Sequence, residues 1–166
     1  MNLTDITQRI ADLPLATAIA TGSSWAWLFP TIETLHVIAI TTVFGTIFFV
    51  DLRLLGFAER KVRMSKYSAE LLPFTWAAFA LAVITGLLLF IARAPDYAFN
   101  LQFRLKMLFM LLAGLNMAVF QFGAYRRVHE WDMRVPPPAA ARIAGLVSIG
   151  CWISACITAG TMTASV

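Results

Sequence analysis

Residues 71–92 read LLPFTWAAFALAVITGLLLFIA, 22 consecutive positions without a Lys, Arg, Asp or Glu. A hydrocarbon core about 30 Å thick takes roughly 20 apolar residues of helix, so this stretch predicts a transmembrane span. Three more runs carry no charge: 34–50, 107–125 and 143–166, of 17, 19 and 24 residues. Together the four cover 82 of 166 residues. The chain as a whole is 60% hydrophobic and 13% charged, where a soluble domain carries about a quarter charged residues. Only short connections and an N-terminal head remain, so no water-soluble catalytic domain fits and any chemistry belongs inside a small bundle or at its rims. The expected fold is a single all-α domain, an integral membrane up-down four-helix bundle with an N-terminal amphipathic interfacial helix. Spans are predicted at about 30–55, 71–93, 105–125 and 139–163, and the interfacial helix at about 3–13.

The head carries its own pattern. Leu3, Ile6, Ile10 and Leu13 recur every three or four positions, with Thr4 as a candidate cap and Gln8, Arg9 and Asp12 off the stripe. The helix is expected to end at Pro14, and Gly22, Ser23 and Ser24 lead on to Trp25, Trp27, Phe29 and Pro30. Indoles suit a membrane interface and proline suits a first helical turn, so the head is expected to lie on the membrane surface. Asp5 and Asp12, with no basic cluster ahead of an apolar core, do not read as a cleaved signal peptide. Pro136, Pro137 and Pro138 must end one helix before the next begins near Ala139. Short loops predict consecutive spans as antiparallel neighbours. Small residues mark the expected contact stripes: Thr75, Ala78, Ala82 and Gly86, then Gly114 and Ala118, then Ala141, Ala144, Gly145, Ser148, Cys151, Ala155 and Ala159.

Charge distribution sets orientation. Arg53, Arg60, Lys61, Arg63, Lys66, Arg126, Arg127, Arg134 and Arg142 fall at one side, against Arg9, Arg93, Arg104 and Lys106 at the other. The richer side is expected in the cytoplasm and both termini outside. The net charge of +4 is thereby explained by topology, and basic residues split among loops beside Glu59, Glu70, Glu130 and Asp132 exclude a nucleic-acid surface. Cys151 and Cys156 sit five apart on one helix, on different faces, which argues against a mutual disulfide.

His36 lies about two turns inside the first span, where an ionisable group is costly unless it faces the bundle interior and has a partner. At 100° per residue Glu33 and Asp51 both fall about 60° from it, on the same side. Glu33 could orient an imidazole that binds a metal or haem iron; alternatively the histidine bonds Glu33 or a Thr across the bundle. Asp51, near the inner end, reads as structural, paired with Arg53 or the third-loop arginines. Gln102, Arg104 and Lys106 open the third span at the level of His36, and Arg93 closes the second there. These cations could hold propionates or another anion, or snorkel to headgroups. Asn116 reads as a helix-bridging group. Met107, Met110, Met117 and the two cysteines are soft ligands, yet without a Met-x-x-x-Met or Cys-x-x-Cys cluster copper is the lesser expectation. The only other histidine, His129, lies in the third loop about a bilayer away, so both cannot ligate one iron in a subunit. A single haem on His36, or ligation across a symmetric oligomer, is what the count leaves. His129, beside Glu130, Trp131 and Asp132, reads as a residue that decorates the interface.

Trp27–Thr34 (WLFPTIET), His36, Gly45, Asp51–Gly56 (DLRLLG), Asn100–Lys106 and Ser148–Trp152 (SIGCW) together resemble a large bacterial family of uncharacterised four-helix inner-membrane proteins with an interfacial head. The resemblance implies the fold and a multi-pass location in the inner membrane, with periplasmic termini. That family often carries an Arg after its last Gly, where this chain reads Gly160-Thr161-Met162. More distantly, the layout resembles HemJ-type protoporphyrinogen oxidase and the copper-resistance D membrane domain. The HemJ likeness implies haem ligation at His36 and a nearby role for Lys106, although the run Phe103-Arg104-Leu105-Lys106 and the extra head helix depart from that type.

The functional expectation is an inner-membrane redox protein binding haem b, with His36 as ligand, Glu33 orienting it, and Arg93, Arg104 and Lys106 near the propionates. The alternatives are a small-ion or metabolite transport module, and a non-catalytic assembly subunit. The lipid bilayer is the expected surrounding, with a homo-oligomer or another membrane protein as partner.

Overall fold

The computed structural model describes residues 2–21, 26–57, 63–132 and 137–163. Gly22, Ser23, Ser24, Trp25, Glu59, Arg60, Lys61, Arg134 and Pro136, discussed above, lie outside the described residues. In chain order the helices are α1 (Leu3–Ala11), α2 (Pro14–Thr21), α3 (Leu28–Leu55), α4 (Met64–Ala92), α5 (Ala94–Phe99), α6 (Leu101–Phe122), α7 (Val128–Trp131) and α8 (Ala139–Thr163), with a 3-10 turn at Ala124–Arg127 before α7. No strand occurs among the described residues. Helices α3, α4, α8 and the segment beginning at α6 are long and apolar enough to cross a membrane. The protein is an all-α membrane chain built on a four-helix bundle.

Local chemistry explains the element ends, including three that differ from expectation. The head is two helices, because Pro14 starts α2: its missing N–H costs nothing in a first turn. Helix α4 begins at Met64, seven residues before the uncharged run, so its first turns carry Ser65, Lys66 and Glu70 beyond the apolar core. Its Pro73 is accommodated within the helix. Helix α6 begins at Leu101, where the Asn100 side chain accepts from the N–H groups of Gln102 and Phe103 at 2.8 and 3.1 Å, satisfying two of the first-turn donors. Helix α3 ends at Gly56, with φ 85°. There Gly56 N–H donates to Arg53 O and Phe57 N–H to Leu52 O, a Schellman closure that a glycine accommodates without a Cβ penalty.

Packing runs α4 to α3 to α8 to α6, and the fourth side is not closed in the same way: among the described residues α4 and α6 lack an extended contact. The expectation that all consecutive spans are neighbours therefore holds for α3/α4 and α6/α8 but not for α4/α6. Small residues do make the close approaches elsewhere. A Cβ added to Gly145 would meet Asp51 O at 3.3 Å and Leu54 Cβ at 3.4 Å, so α8 lies directly on α3. Gly114 is an exception, exposed with open space around it, while its neighbour Ala113 is buried.

Two apolar cores sit at the ends of the bundle. At one end Leu54, Met64, Val128, Trp131 and Ala141 pack together; at the other, Ile19 of the head packs with Ile32, Leu89 and Ala92. Between them hydrogen bonds tie the spans: Thr75 Oγ1 donates to Thr46 Oγ1 at 2.8 Å and Asn116 Nδ2 to Ala144 O at 2.9 Å. Helix α1 lies over α5 with Thr7 buried, and leaves Leu3 and Ile6 of its apolar stripe exposed, as an interfacial helix facing lipid requires.

Candidate functional site

The open side between α4 and α6 leads into a cleft of about 630 Å³ walled by all four spans and α5. Its polar groups are few. Glu33, His36 and Thr41 come from α3, Tyr97 from α5 and Lys106 from α6, with Cys156 on α8; beyond them the wall is Ile40, Val43, Phe79, Val83, Met110, Trp152 and similar side chains.

His36 is half-buried, and its Nδ1 lies 2.9 Å from Thr85 Oγ1. The hydroxyl of Thr85 donates to Leu81 O at 2.7 Å, so its oxygen is left to accept. The Ala82 carbonyl, another hydrogen-bond neighbour of the imidazole, is an acceptor too. The tautomer assignment that satisfies this surrounding places hydrogen on Nδ1 and leaves the lone pair on Nε2. Such an imidazole is a ready metal ligand whose other nitrogen is already held. Gly86 makes the arrangement possible. A Cβ there would lie 2.9 Å from His36 Cε1, closer than carbon atoms tolerate, so the ring lies against bare α4 backbone.

Lys106 is an electrostatic neighbour of both His36 and Cys156, which puts imidazole, ammonium and thiol at one level of the cleft. Nearer the head end, burial pushes the Tyr97 phenol above its ordinary value, with Arg93 opposing and Glu33 and Asp96 adding to the rise. The phenol therefore keeps its proton and remains a donor. Rings close the space above. Phe103 of α6 stacks against Phe90 of α4 at 5.5 Å and against Tyr97 at 5.6 Å between centroids, and this stack joins α4 to α6 at the head end.

The sequence-selected residues divide accordingly. His36, Glu33 and Lys106 line the cleft, whereas Arg93 and Arg104 do not. The Arg93 guanidinium sits 4.8 Å from the Phe29 ring centroid, and Arg104 Nε donates to Ala98 O at 2.9 Å. Thr85, not Glu33, makes the hydrogen bond to His36, the alternative of a threonine across the bundle. Asp51 is 5% exposed and bonded to Ser148 on α8; it does not line the cleft. Among the described residues no group of three or more His, Cys, Asp and Glu converges as a metal cage. Sequence reasoning missed Thr85, Tyr97 and the Phe90–Phe103 stack. The one available signal was Thr85-Gly86 inside an apolar run, a polar side chain beside an absent one. No family model, curated protein or solved structure matches the chain.

Proposed function

We propose that the chain is a haem-binding redox protein of the bacterial inner membrane, with His36 as the axial ligand from the protein. The observation that carries this reading is the imidazole of His36, held at Nδ1 by Thr85 and lining a cleft walled largely by apolar groups. The fit is favourable on three counts. The cleft volume, about 630 Å³, falls within the roughly 300–1,000 Å³ of small-molecule and cofactor sites. Lys106 offers a cation to a carboxylate. The apolar walls suit a flat macrocycle. Haem b, when bound, supplies one-electron chemistry at its iron. The chain's own groups then have separate tasks: Thr85 fixes the ring of His36, Lys106 and Tyr97 present donors at the outer end, and Ile40, Val43 and Phe79 exclude water. Arg93 and Arg104, engaged elsewhere, have no part in this reading.

The orientation belongs to the same proposal. Arg63, Lys66, Arg126, Arg127 and Arg142 are all exposed at the end opposite the head, which the positive-inside rule assigns to the cytoplasm, leaving both termini periplasmic. A copper site has less support: Met107, Met110 and Met162 line the cleft with Cys156, yet among the described residues no three His, Cys, Asp or Glu side chains converge. Transport of small ions has less support because below His36 and Lys106 the cleft is lined chiefly by apolar side chains, with Thr41 the one hydroxyl among the described residues there.

An absorption spectrum of the protein, expressed with haem supplied and purified in mild detergent, tests the reading. A Soret band that disappears in His36→Ala is expected; its absence from the parent protein would overturn it.

A further inference from the structure

The cleft has a mouth, and its place decides where a ligand comes from. In a closed four-helix bundle every side is packed and a central cavity communicates only with the two aqueous ends. Here α4 and α6 lack an extended contact. Leu87 and Val83 on α4, and Met107 on α6, line the cleft and are also 59%, 42% and 49% exposed. Because they flank the side where α4 and α6 lack an extended contact, they form the two lips of that gap, and the surroundings of the spans at this depth are lipid. Above the lips, the Phe90–Phe103–Tyr97 stack bridges the same two helices and stands between the cleft and outer water.

Polarity is graded along the cleft. Glu33, Tyr97, His36 and Lys106 lie toward the outer end, and Val43, Phe79 and Trp152 lie deeper. A molecule suited to that gradient has a polar, acidic end for Lys106 and an apolar body that follows the lips inward, the same order of polarity as in the outer leaflet itself.

We infer that the gap between α4 and α6 is a lateral portal through which the cleft exchanges a carboxylate-bearing amphiphile with the outer leaflet of the bilayer. Its ligand chemistry rests on the haem reading; the portal does not, and the experiment separates them.

The probe is a vesicle of phosphatidylcholine brominated in mid-chain, and the reporter is Trp152, which lines the deep part of the cleft. Bromine quenches indole only at close contact. The Trp152 signal is the difference between the protein and its Trp152→Phe variant. In a Cys151→Ala, Cys156→Ala background, Leu87→Cys and Met107→Cys place thiols on the two lips, and a bifunctional maleimide bridges them. The control pair, Leu108→Cys and Leu112→Cys, puts both thiols on exposed positions of α6, where a bridge leaves the gap alone. Bridging the lips is expected to reduce quenching of Trp152 at least twofold, and bridging the control to leave it unchanged. Equal quenching with and without the lip bridge would overturn the portal, whatever the haem spectrum shows. In the second arm, haem-loaded vesicles deliver haem to bridged and unbridged protein, and the portal predicts uptake at least tenfold slower when bridged. A fall in quenching with no Soret band in any variant would leave the portal standing and remove haem as its cargo. Uptake at equal rates in bridged and unbridged protein would remove the portal and leave haem.

Discussion

The arrangement around His36 depends on two adjacent residues of α4, Thr85 and Gly86. Thr85 uses its proton on Leu81 O and its oxygen on His36 Nδ1. Thr85→Val keeps the shape and removes the acceptor, so the imidazole loses its orienting bond, and such second-layer losses cost about 10–100-fold in metal affinity. Haem titration should show a weakening in that range for Thr85→Val and recovery in Thr85→Ser; unchanged affinity in Thr85→Val would refute the orienting role. Gly86→Ala acts differently, by driving a methyl against Cε1, and should disturb the ring as strongly while leaving every polar group in place. His36 was legible in the sequence because an imidazole inside an apolar run stands out, and Lys106 because its charge borders one. Their partner was not, since nothing in one helix tells which residue of another lies at its level. Helix phase also explains why Arg104 and Lys106 cannot act together: two positions apart they point about 200° from one another. Lys106→Gln is accordingly expected to weaken haem binding, and Arg93→Gln and Arg104→Gln to leave it within experimental error in the same titration.

At the scale of elements, the end of the bundle opposite the head is held by a clasp between segments far apart in sequence. Asp132, just past α7, accepts from Ser65 N–H and Ser65 Oγ, both at 2.7 Å, and its carbonyl accepts from Met64 N–H at 3.2 Å. A carboxylate on the first turn of α4 satisfies its free N–H groups and complements the positive end of the helix. Burial acts to raise the Asp132 carboxyl, but the two Ser65 bonds, with the charges of Arg63 and His129, outweigh it and hold the group below its ordinary value of 3.8. The sign follows: the contribution is complete above about pH 3.8, where the unfolded chain is also ionised, and is lost as pH falls through the lower folded value. Thermal unfolding in detergent should show Asp132→Ala less stable by about 1 kcal/mol near pH 7, with the gap between parent and variant narrowing in acid; a constant gap would show that the carboxylate is not the source. His129 and Glu130 are exposed, whereas Trp131 and Asp132 beside them are buried, a role for Asp132 that the sequence reading did not foresee. That was illegible for a physical reason: the clasp joins positions 67 apart, and a polar side chain in a loop gives no sign that it will meet a helix N-terminus.

For the molecule as a whole, the four spans were legible because bilayer thickness imposes their length, and the α3/α4 hairpin because its connection is short. The open fourth side was not, because apolar residues facing lipid and apolar residues facing a neighbour have the same chemistry. That openness has a mechanical consequence. Helix α6 has α8 as its one extended partner among the spans, belongs to the span least buried of the four, and is tied to α4 through the outer stack. Its attachment therefore rests on a few identifiable points, of which the Asn116 bond to Ala144 O and the Phe103 rings lie about 20 Å apart along the helix, 13 residues at 1.5 Å each. Interhelical hydrogen bonds in membranes average about 0.6 kcal/mol, and a stacked aromatic pair contributes about 0.5–1.5 kcal/mol beyond its area. Asn116→Leu should thus lower resistance to denaturation slightly and Phe103→Ala more. Because the two points share no neighbour, the double variant should show the sum of the single effects to within about 0.5 kcal/mol. Denaturant titration in mixed micelles measures this. A bundle closed on all four sides would buffer either loss through α4, giving single effects near zero, so two measurable and additive losses are the signature of a helix held on one flank.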